Sequence, residues 1–318
     1  MKAVFLDYAT VSVGDLDPAR LRAATPELEL LDATPQGEVA ARIAGCGIVL
    51  LNKLKLTREI IAASPGLRLV ALAATGTNNV DLDAAREHGV AVCNIRDYCT
   101  PSVAQHVLGV ILSLTHRLPE YSRIAVDGTW ARSAHFTVLD HPIRELTGRT
   151  LGVVGWGVLG KAVAHACEAA LGMRTRVANR PGGPRETGRV DLDELLGEAD
   201  VLSLHCPLTP ATTGLIGARE LGLMKQDAII VNTARGALID IAALADALRR
   251  RRIGGAAIDV LPQEPPTDGS PLFARDLPNL LVTPHTAWAA RESRQRCIDE
   301  IAANVEDFTR GGRRGRVA

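Results

Sequence analysis

Short apolar runs alternate with segments of helical period along almost the whole chain, and this alternation limits the fold more than any other feature. Residues 2–6, 28–31, 47–51, 67–73 and 90–95 have strand length, and 36–45, 57–63 and 81–88 between them have helical period. Several of the runs are continuously apolar. A strand with one wet face alternates polar and apolar side chains; a strand of a parallel sheet covered on both faces does not. Residues 1–98 therefore predict one α/β unit. A second series follows, with strands at 150–155, 176–178, 201–205, 228–232, 256–260 and 280–283 and a helix after the first of them to about 171. A final helix is expected from about 289 to 308.

Between the two series, Thr100 and Pro101 open the apolar segment SVAQHVLGVILSLTHR. Thr at a cap and Pro in the first turn favour a helix start. Residues 118–149 hold Pro, Gly and Trp without a clear period and read as an irregular arm or connection. The tail GGRRGRVA reads as a frayed, solvated end.

At 318 residues the chain is long enough for two domains with their own cores. Lys+Arg and Asp+Glu both number 36, which removes any broad pull toward nucleic acid or an anionic membrane. Apolar residues make up 47% and aromatics 3%, so the core is expected to be Ala, Val, Leu and Ile. The six cysteines form no C-x-x-C pair and read as buried or free thiols of a reducing, cytoplasmic compartment. No metal is expected. MKAVFLDYAT reads as neither a signal nor a transit peptide. No apolar run approaches the roughly 18–20 residues that span a bilayer.

The stretch LGVVGWGVLGKAV carries Gly155, Gly157 and Gly160 in G-x-G-x-x-G spacing, after an apolar strand and at the opening of a helix. That context gives a weak motif its meaning. Gly155 permits the tight turn, Gly157 lets a pyrophosphate approach the backbone, and Gly160 lets the helix pack on the strand. N–H groups at the helix start then bind phosphate. About 20 residues on, where a carboxylate would chelate the ribose of NAD, stand Asn179 and Arg180. A neutral residue removes the repulsion of a 2′-phosphate, and an arginine can pair with one, so the balance favours NADP(H) over NAD(H). In the other reading Asn179 accepts a ribose hydroxyl of NAD and Arg180 lies over the adenine.

Three later strand ends carry ionisable residues: Arg235, Glu264 and His285. In a doubly wound sheet the ligand crevice lies outside those ends. Hydride delivery to a ketone leaves an oxygen that needs a proton. A histidine suits that task, a carboxylate can orient it, and an arginine can hold a substrate carboxylate. Taken singly, each also reads as a solvated loop residue.

The segments TGTNNVD, TPSVAQH, GVVGWGVLGKAVA, HCPLTPATTGLI, NTARGALID, AIDVLPQEPP and TPHTAW resemble, in order and spacing, the D-isomer-specific 2-hydroxyacid dehydrogenase family over essentially the whole chain. The resemblance implies that His285 is the acid/base, Glu264 tunes it and Arg235 binds substrate. It implies two doubly wound parallel-sheet domains. A Rossmann cofactor domain (99–288) is inserted into a flavodoxin-like substrate domain (1–98 plus 289–318), with a crevice that closes by hinge motion. An arm at about 118–149 would make a homodimer. Backbone N–H groups of Thr75, Gly76 and Thr77 would hold the substrate carboxylate. An NAD(P)(H) cofactor would meet Thr100, the turn residues Trp156, Val158 and Leu159 with their glycines, and His205, Cys206, Pro207 and Thr212. It would also meet Thr233, Ala234, Arg235, Asp259, His285 and Ala287.

Within the family, FLDYATV, SAHFTVLDHPIRELTG and TPHTAWAARESRQR resemble the glycerate dehydrogenase, or hydroxypyruvate reductase, branch. Trp288 would then bound a pocket for a small substrate, hydroxypyruvate or glyoxylate; it also reads as packing at a domain junction. Formate dehydrogenases carry Gln where this chain has Glu264, and phosphite dehydrogenases carry Lys where it has Thr75. Two alternatives stay open: a dehydrogenase for a bulkier 2-keto acid, and a dinucleotide-sensing co-regulator on the same fold. Cys206 reads as packing rather than as a nucleophile, and His106, in mid-helix, as structural.

Overall fold

The structure, a computed structural model, describes residues 1–267 and 269–318. In chain order it begins β1 (Ala3–Phe5), α1 (Ala19–Ala24), β2 (Leu28–Leu30), α2 (Val39–Ile43), β3 (Ile48–Leu51), α3 (Arg58–Ala62), β4 (Leu69–Leu72), α4 (Leu82–Glu87) and β5 (Ala91–Cys93). Then come α5 (Thr100–Thr115), α6 (Leu118–Val126), β6 (Thr150–Val154), α7 (Val158–Leu171), β7 (Arg174–Val177), α8 (Leu192–Glu198), β8 (Val201–Leu204) and α9 (Ala218–Leu223). The rest is β9 (Ile229–Asn232), α10 (Ile241–Arg249), β10 (Gly255–Ile258), β11 (Leu280–Val282) and α11 (Arg291–Thr309). The chain divides into two compact units, Met1–Cys99 with Trp288–Ala318, and Thr100–Ala287. Cys99 and Trp288 thus fall in the first unit, one residue from the boundaries read in the sequence.

The first unit holds a parallel sheet in the order β2-β1-β3-β4-β5, the flavodoxin-like order. Successive side chains of a strand point to opposite faces, so a sheet covered on both sides needs apolar residues at every position. Phe5, Leu50, Ala71 and Cys93 face one layer with Cys297, Ile298, Ile301 and Val305 of α11. Val4, Val49, Leu51, Val70, Leu72 and Val92 face the other, with Val39, Ile43, Ile61 and Ala84 of α2, α3 and α4.

The second unit holds a six-stranded parallel sheet in the order β11-β10-β9-β8-β6-β7. Leu202, Leu204, Ile230, Ala256 and Ile258 pack one face against helices bearing Leu195, Leu221, Leu244 and Leu248. On α5 and α7, Val107, Ile111, Leu114, Val163 and Cys167 are buried. The strand order reverses between β6 and β8, which is where a doubly wound sheet opens a crevice.

Two expectations need correction. The tail is not frayed: Asn94 N–H donates to Gly315 O at 2.9 Å and Val317 N–H to Val92 O at 2.8 Å, so the tail runs antiparallel along the free edge of β5. Arg314 anchors it through Asn304 Oδ1 at 2.8 Å and an ion pair with Glu300. Pairing a bare edge satisfies backbone groups that composition alone assigns to water. The segment from 118 is also not irregular throughout, because α6 occupies Leu118–Val126. Pro119 sits in its first turn, where a missing N–H costs no helical bond. Among the described residues, no helix is long and apolar enough to cross a membrane. Among them, no group of three or more His, Cys, Asp or Glu is placed to hold a metal ion.

Candidate active site

The glycine turn joins β6 to α7. Gly155 adopts φ +103°, and a Cβ there would stand 2.5 Å from Cys206 N and His205 C. At Gly160 a Cβ would lie 2.1 Å from Gly155 O. Side chains are thus excluded where the turn crosses β8 and where α7 leans on β6. Gly157, the residue before α7, has open space instead, with nothing within 4 Å of a built Cβ. Backbone without side chains, facing open space at the start of a 14-residue helix, is what an anionic pyrophosphate requires. The residues present therefore fit a dinucleotide.

A cavity of about 770 Å³ lies at this switch point, lined by Gly155, Trp156, Gly157, Arg180, Arg189 and the segment from His205 to Thr212. Cys206 is buried at 4% exposure, and burial pushes its thiol up to about 11, which makes it a packing group rather than a nucleophile. Burial brings the His205 imidazole down to about 4, so the ring is neutral near pH 7. Ser203 Oγ, inside β8, lies 2.8 Å from its Nε2. The Thr212 hydroxyl donates to Pro207 O at 2.8 Å and accepts from Thr209 N at 2.7 Å, tying down the loop that forms one wall.

At the end of β7, Asn179 is already committed. Its Oδ1 accepts from Glu186 N at 2.9 Å, and its Nδ2 donates to Asp191 Oδ1 at 3.0 Å. Asp191 in turn pairs with Arg185. A carboxylate therefore does lie beside this strand end, brought from 12 residues downstream.

The ionisable trio is built on the ends of β9, β10 and β11. Asn232, fully buried, accepts from Ala234 N at 3.0 Å and donates to Arg235 O at 2.9 Å, which shapes the turn carrying Arg235. Among the described residues, the buried Thr233 hydroxyl beside that turn has no hydrogen-bond partner. A Cβ on Gly236 would lie 2.0 Å from Leu261 C, so glycine there lets the segments after β9 and β10 touch. Glu264 Oε1 accepts from Leu261 N at 2.8 Å, while Oε2 lies 2.6 Å from His285 Nδ1. The imidazole is thereby oriented through Nδ1, with Nε2 as its other ring nitrogen.

His285 has φ +56°, in the left-handed region. Its N–H donates to Asp259 O at 2.8 Å. The Asp259 carboxylate, 3% exposed, accepts from Thr283 Oγ1 at 2.5 Å, Thr286 N at 2.8 Å and Ala287 N at 2.9 Å. Ser102 of α5 donates to Ala287 O at 2.7 Å, and Thr100 opens that helix. His106, half-buried on α5, has its Nε2 3.5 Å from Thr283 Oγ1. An apolar pocket of about 550 Å³, with walls including Leu261, Pro265, Phe273 and Val282, adjoins the His285–Glu264 pair.

In the first unit, Thr75, Gly76 and Thr77 follow β4. Thr75 Oγ1 donates to Ile95 O at 2.8 Å, and Asn94 Nδ2 donates to Thr75 O at 2.7 Å. Trp288 packs edge-on against Tyr98, ring centroids 6.1 Å apart.

A family model described as D-isomer specific 2-hydroxyacid dehydrogenase, NAD binding domain, matches residues 108–287. The chain belongs to the D-isomer-specific 2-hydroxyacid dehydrogenases. It is 44% identical over 278 residues to a glycerate dehydrogenase of Methylorubrum extorquens, covering 87% of each chain. It is 36% identical over 317 residues to a hydroxypyruvate reductase of Blautia hydrogenotrophica, covering 98% of each. The solved structure of the TT0316 protein from Thermus thermophilus superposes with a TM-score of 0.86 at 35% identity, covering all of both chains.

As a D-2-hydroxyacid dehydrogenase the chain is a nicotinamide-dependent oxidoreductase of the glycerate dehydrogenase and hydroxypyruvate reductase branch. Several residues that shape this dehydrogenase's site do not stand out in its sequence. Ser203 lies inside an apolar run, and a polar residue in mid-run is the one signal it offers; Asn232 closes its run and opens the NTARGALID segment. Asp191, Glu186 and Arg189 belong to a polar loop with no motif.

Proposed function

We propose that this dehydrogenase interconverts small 2-keto acids and D-2-hydroxy acids, with hydroxypyruvate and glyoxylate as substrates and D-glycerate and glycolate as products. The observation that carries the reading is the 2.6 Å pair of His285 Nδ1 and Glu264 Oε2 at the strand ends of a dinucleotide-binding sheet. The similarity to a glycerate dehydrogenase and a hydroxypyruvate reductase supports the substrate class.

In the reduction, Arg235 holds the substrate carboxylate and polarises the adjacent carbonyl. By the family resemblance, backbone N–H groups of Thr75, Gly76 and Thr77 are assigned to the substrate carboxylate as well. The same resemblance assigns Trp288 to bounding a small substrate. His285 Nε2 delivers a proton to the carbonyl oxygen as negative charge builds there, and Glu264 stabilises the imidazolium before transfer and keeps the ring aimed. In oxidation the same nitrogen takes the hydroxyl proton. A nicotinamide cofactor, when bound, would supply or accept the hydride. The N-terminal turn of α7 would hold the cofactor's pyrophosphate, His205, Cys206, Pro207 and Thr212 would form a wall of its cleft, and Thr233, Ala234, Asp259 and Ala287 would line its nicotinamide end.

NADP(H) is preferred over NAD(H) in this reading. Arg180 lines the cleft and no carboxylate occupies position 179. The nearby Asp191 is balanced by Arg185. A homodimer is supported by the arm, which exposes Val126, Trp130, Phe136 and Leu139 at 82%, 52%, 90% and 79%. All six cysteines are free thiols, in keeping with a cytoplasmic setting. Initial rates with hydroxypyruvate, glyoxylate, pyruvate and a branched-chain 2-keto acid, each with NADH and NADPH, test the reading. Fast hydroxypyruvate turnover is the expected result. Turnover confined to the branched substrate would replace it with a bulkier substrate seated in the apolar pocket beside Glu264.

A further inference from the structure

The loop between β7 and α8 carries Arg180, Arg185 and Arg189, and the two outer arginines line one cavity. Arg180 and Arg189 face the same 770 Å³ cleft as Gly155 and Gly157. Arg185 does not line it; its side chain is 82% exposed and pairs with Asp191. The loop returns to its starting strand, since Ala178 bridges Val190 and Asn179 N donates to Val190 O at 2.7 Å. Arg189 is therefore carried back to the end of β7, where the adenosine of a dinucleotide lies.

Three contacts set the loop in place. The Arg180 stem packs against Gly183, where a Cβ would stand 3.1–3.2 Å from its Cβ, Cγ and Cδ. Glu186 N is held by Asn179 Oδ1 at 2.9 Å, and the Glu186 carboxylate pairs with the Arg189 guanidinium at 2.7 Å. Of the two loop carboxylates, Asp191 is occupied by Arg185 and the Asn179 amide. Glu186 is then the one whose partner faces the cleft. A phosphate monoester carries close to two negative charges near pH 7. A single arginine balances only part of that.

We propose that Arg189 is a second specificity-determining cation, and that it and Arg180 together grip the 2′-phosphate of NADP(H). This rests on the nicotinamide-cofactor reading above. Arg189 exchanges the Glu186 carboxylate for the phosphate, so its charge stays paired in both states. NADH, lacking the phosphate, leaves the Arg189–Glu186 pair intact.

The test is equilibrium binding of NADPH and NADH to the full chain by nicotinamide fluorescence. Arg189→Gln should weaken NADPH by roughly ten- to a hundredfold while NADH changes by less than about threefold. Equal weakening of both cofactors would mean that Arg189 only closes the turn, and no change for either would also overturn the clamp. Glu186→Gln removes the competing carboxylate and should tighten NADPH several-fold; it decides the matter if Arg189→Gln loses its folded circular dichroism, and an unchanged NADPH affinity then overturns the proposal. If the wild type binds NADH more tightly, the cofactor preference fails together with the clamp. If the wild type prefers NADPH and Arg189→Gln has no selective effect, only the clamp fails.

Discussion

The Asp259 carboxylate lies 2.8 Å from Thr286 N, one residue beyond the proposed proton carrier His285. Together with its bonds to Thr283 Oγ1 and Ala287 N, this buried group folds the loop that holds His285 in the left-handed region. Asp259→Ala would leave buried N–H groups without acceptors, each costing about 1–3 kcal/mol. The expected outcome is a melting temperature lower by roughly 5–10 °C and a fall in turnover, read by thermal unfolding and initial rates. Asp259→Asn keeps one acceptor oxygen and should lose less of both.

His285→Ala should reduce turnover by about a hundred- to ten-thousandfold with little change in cofactor affinity. Glu264→Gln keeps the shape of the pair and removes its charge, so a smaller loss is expected. Steady-state rates and cofactor titration separate the two effects. Near-normal turnover in His285→Ala would remove the acid/base assignment.

The sequence suggests that Asn179→Asp alone turns the cofactor preference toward NADH. The structure changes that expectation, because Asn179 Nδ2 donates to Asp191 Oδ1 at 3.0 Å. Asn179→Asp would oppose two carboxylates at that distance and loosen the loop, weakening NADPH without a matching gain for NADH. Asn179→Asp combined with Asp191→Asn restores one donor–acceptor pair, and this double variant should carry the shift toward NADH. Binding of both cofactors to the single and double variants checks it.

His205 gives stability a pH dependence. Its folded imidazole titrates at about 4, against about 6.5 in the unfolded chain. A depressed imidazole means that the unfolded chain binds the proton more readily. Its contribution is therefore complete above pH 6.5 and is lost as pH falls from 6.5 toward 4, by roughly 2–3 kcal/mol in all. Denaturant unfolding across that window should show the slope, and His205→Gln should flatten it. An unchanged slope would mean that other groups govern the acid limb.

Much of the fold was legible because local pattern and global arrangement agree. Continuous apolar runs require two covered faces, and the runs at 47–51, 67–73 and 201–205 became interior parallel strands. Where local signals mislead, the reason is specific. Pro119 reads as a break but sits in a first helical turn, and the Gly/Arg tail reads as solvated although β5 has an edge to fill. The order of motifs likewise anticipated which strand ends would carry Arg235, Glu264 and His285.

The two βα series, the glycine spacing of the turn after β6, and the residue types proposed as acid/base, tuning carboxylate and cations were all readable from the chain alone. Those follow from steric and chemical demands that act on single residues or near neighbours. That Asp191 lies against Asn179, that Arg189 returns to the end of β7, and that Asp259 organises the His285 loop emerged from three-dimensional packing alone. Such pairings depend on which strand ends and loops meet in space. Side chains far apart in sequence acquire their partners only after the sheet is built.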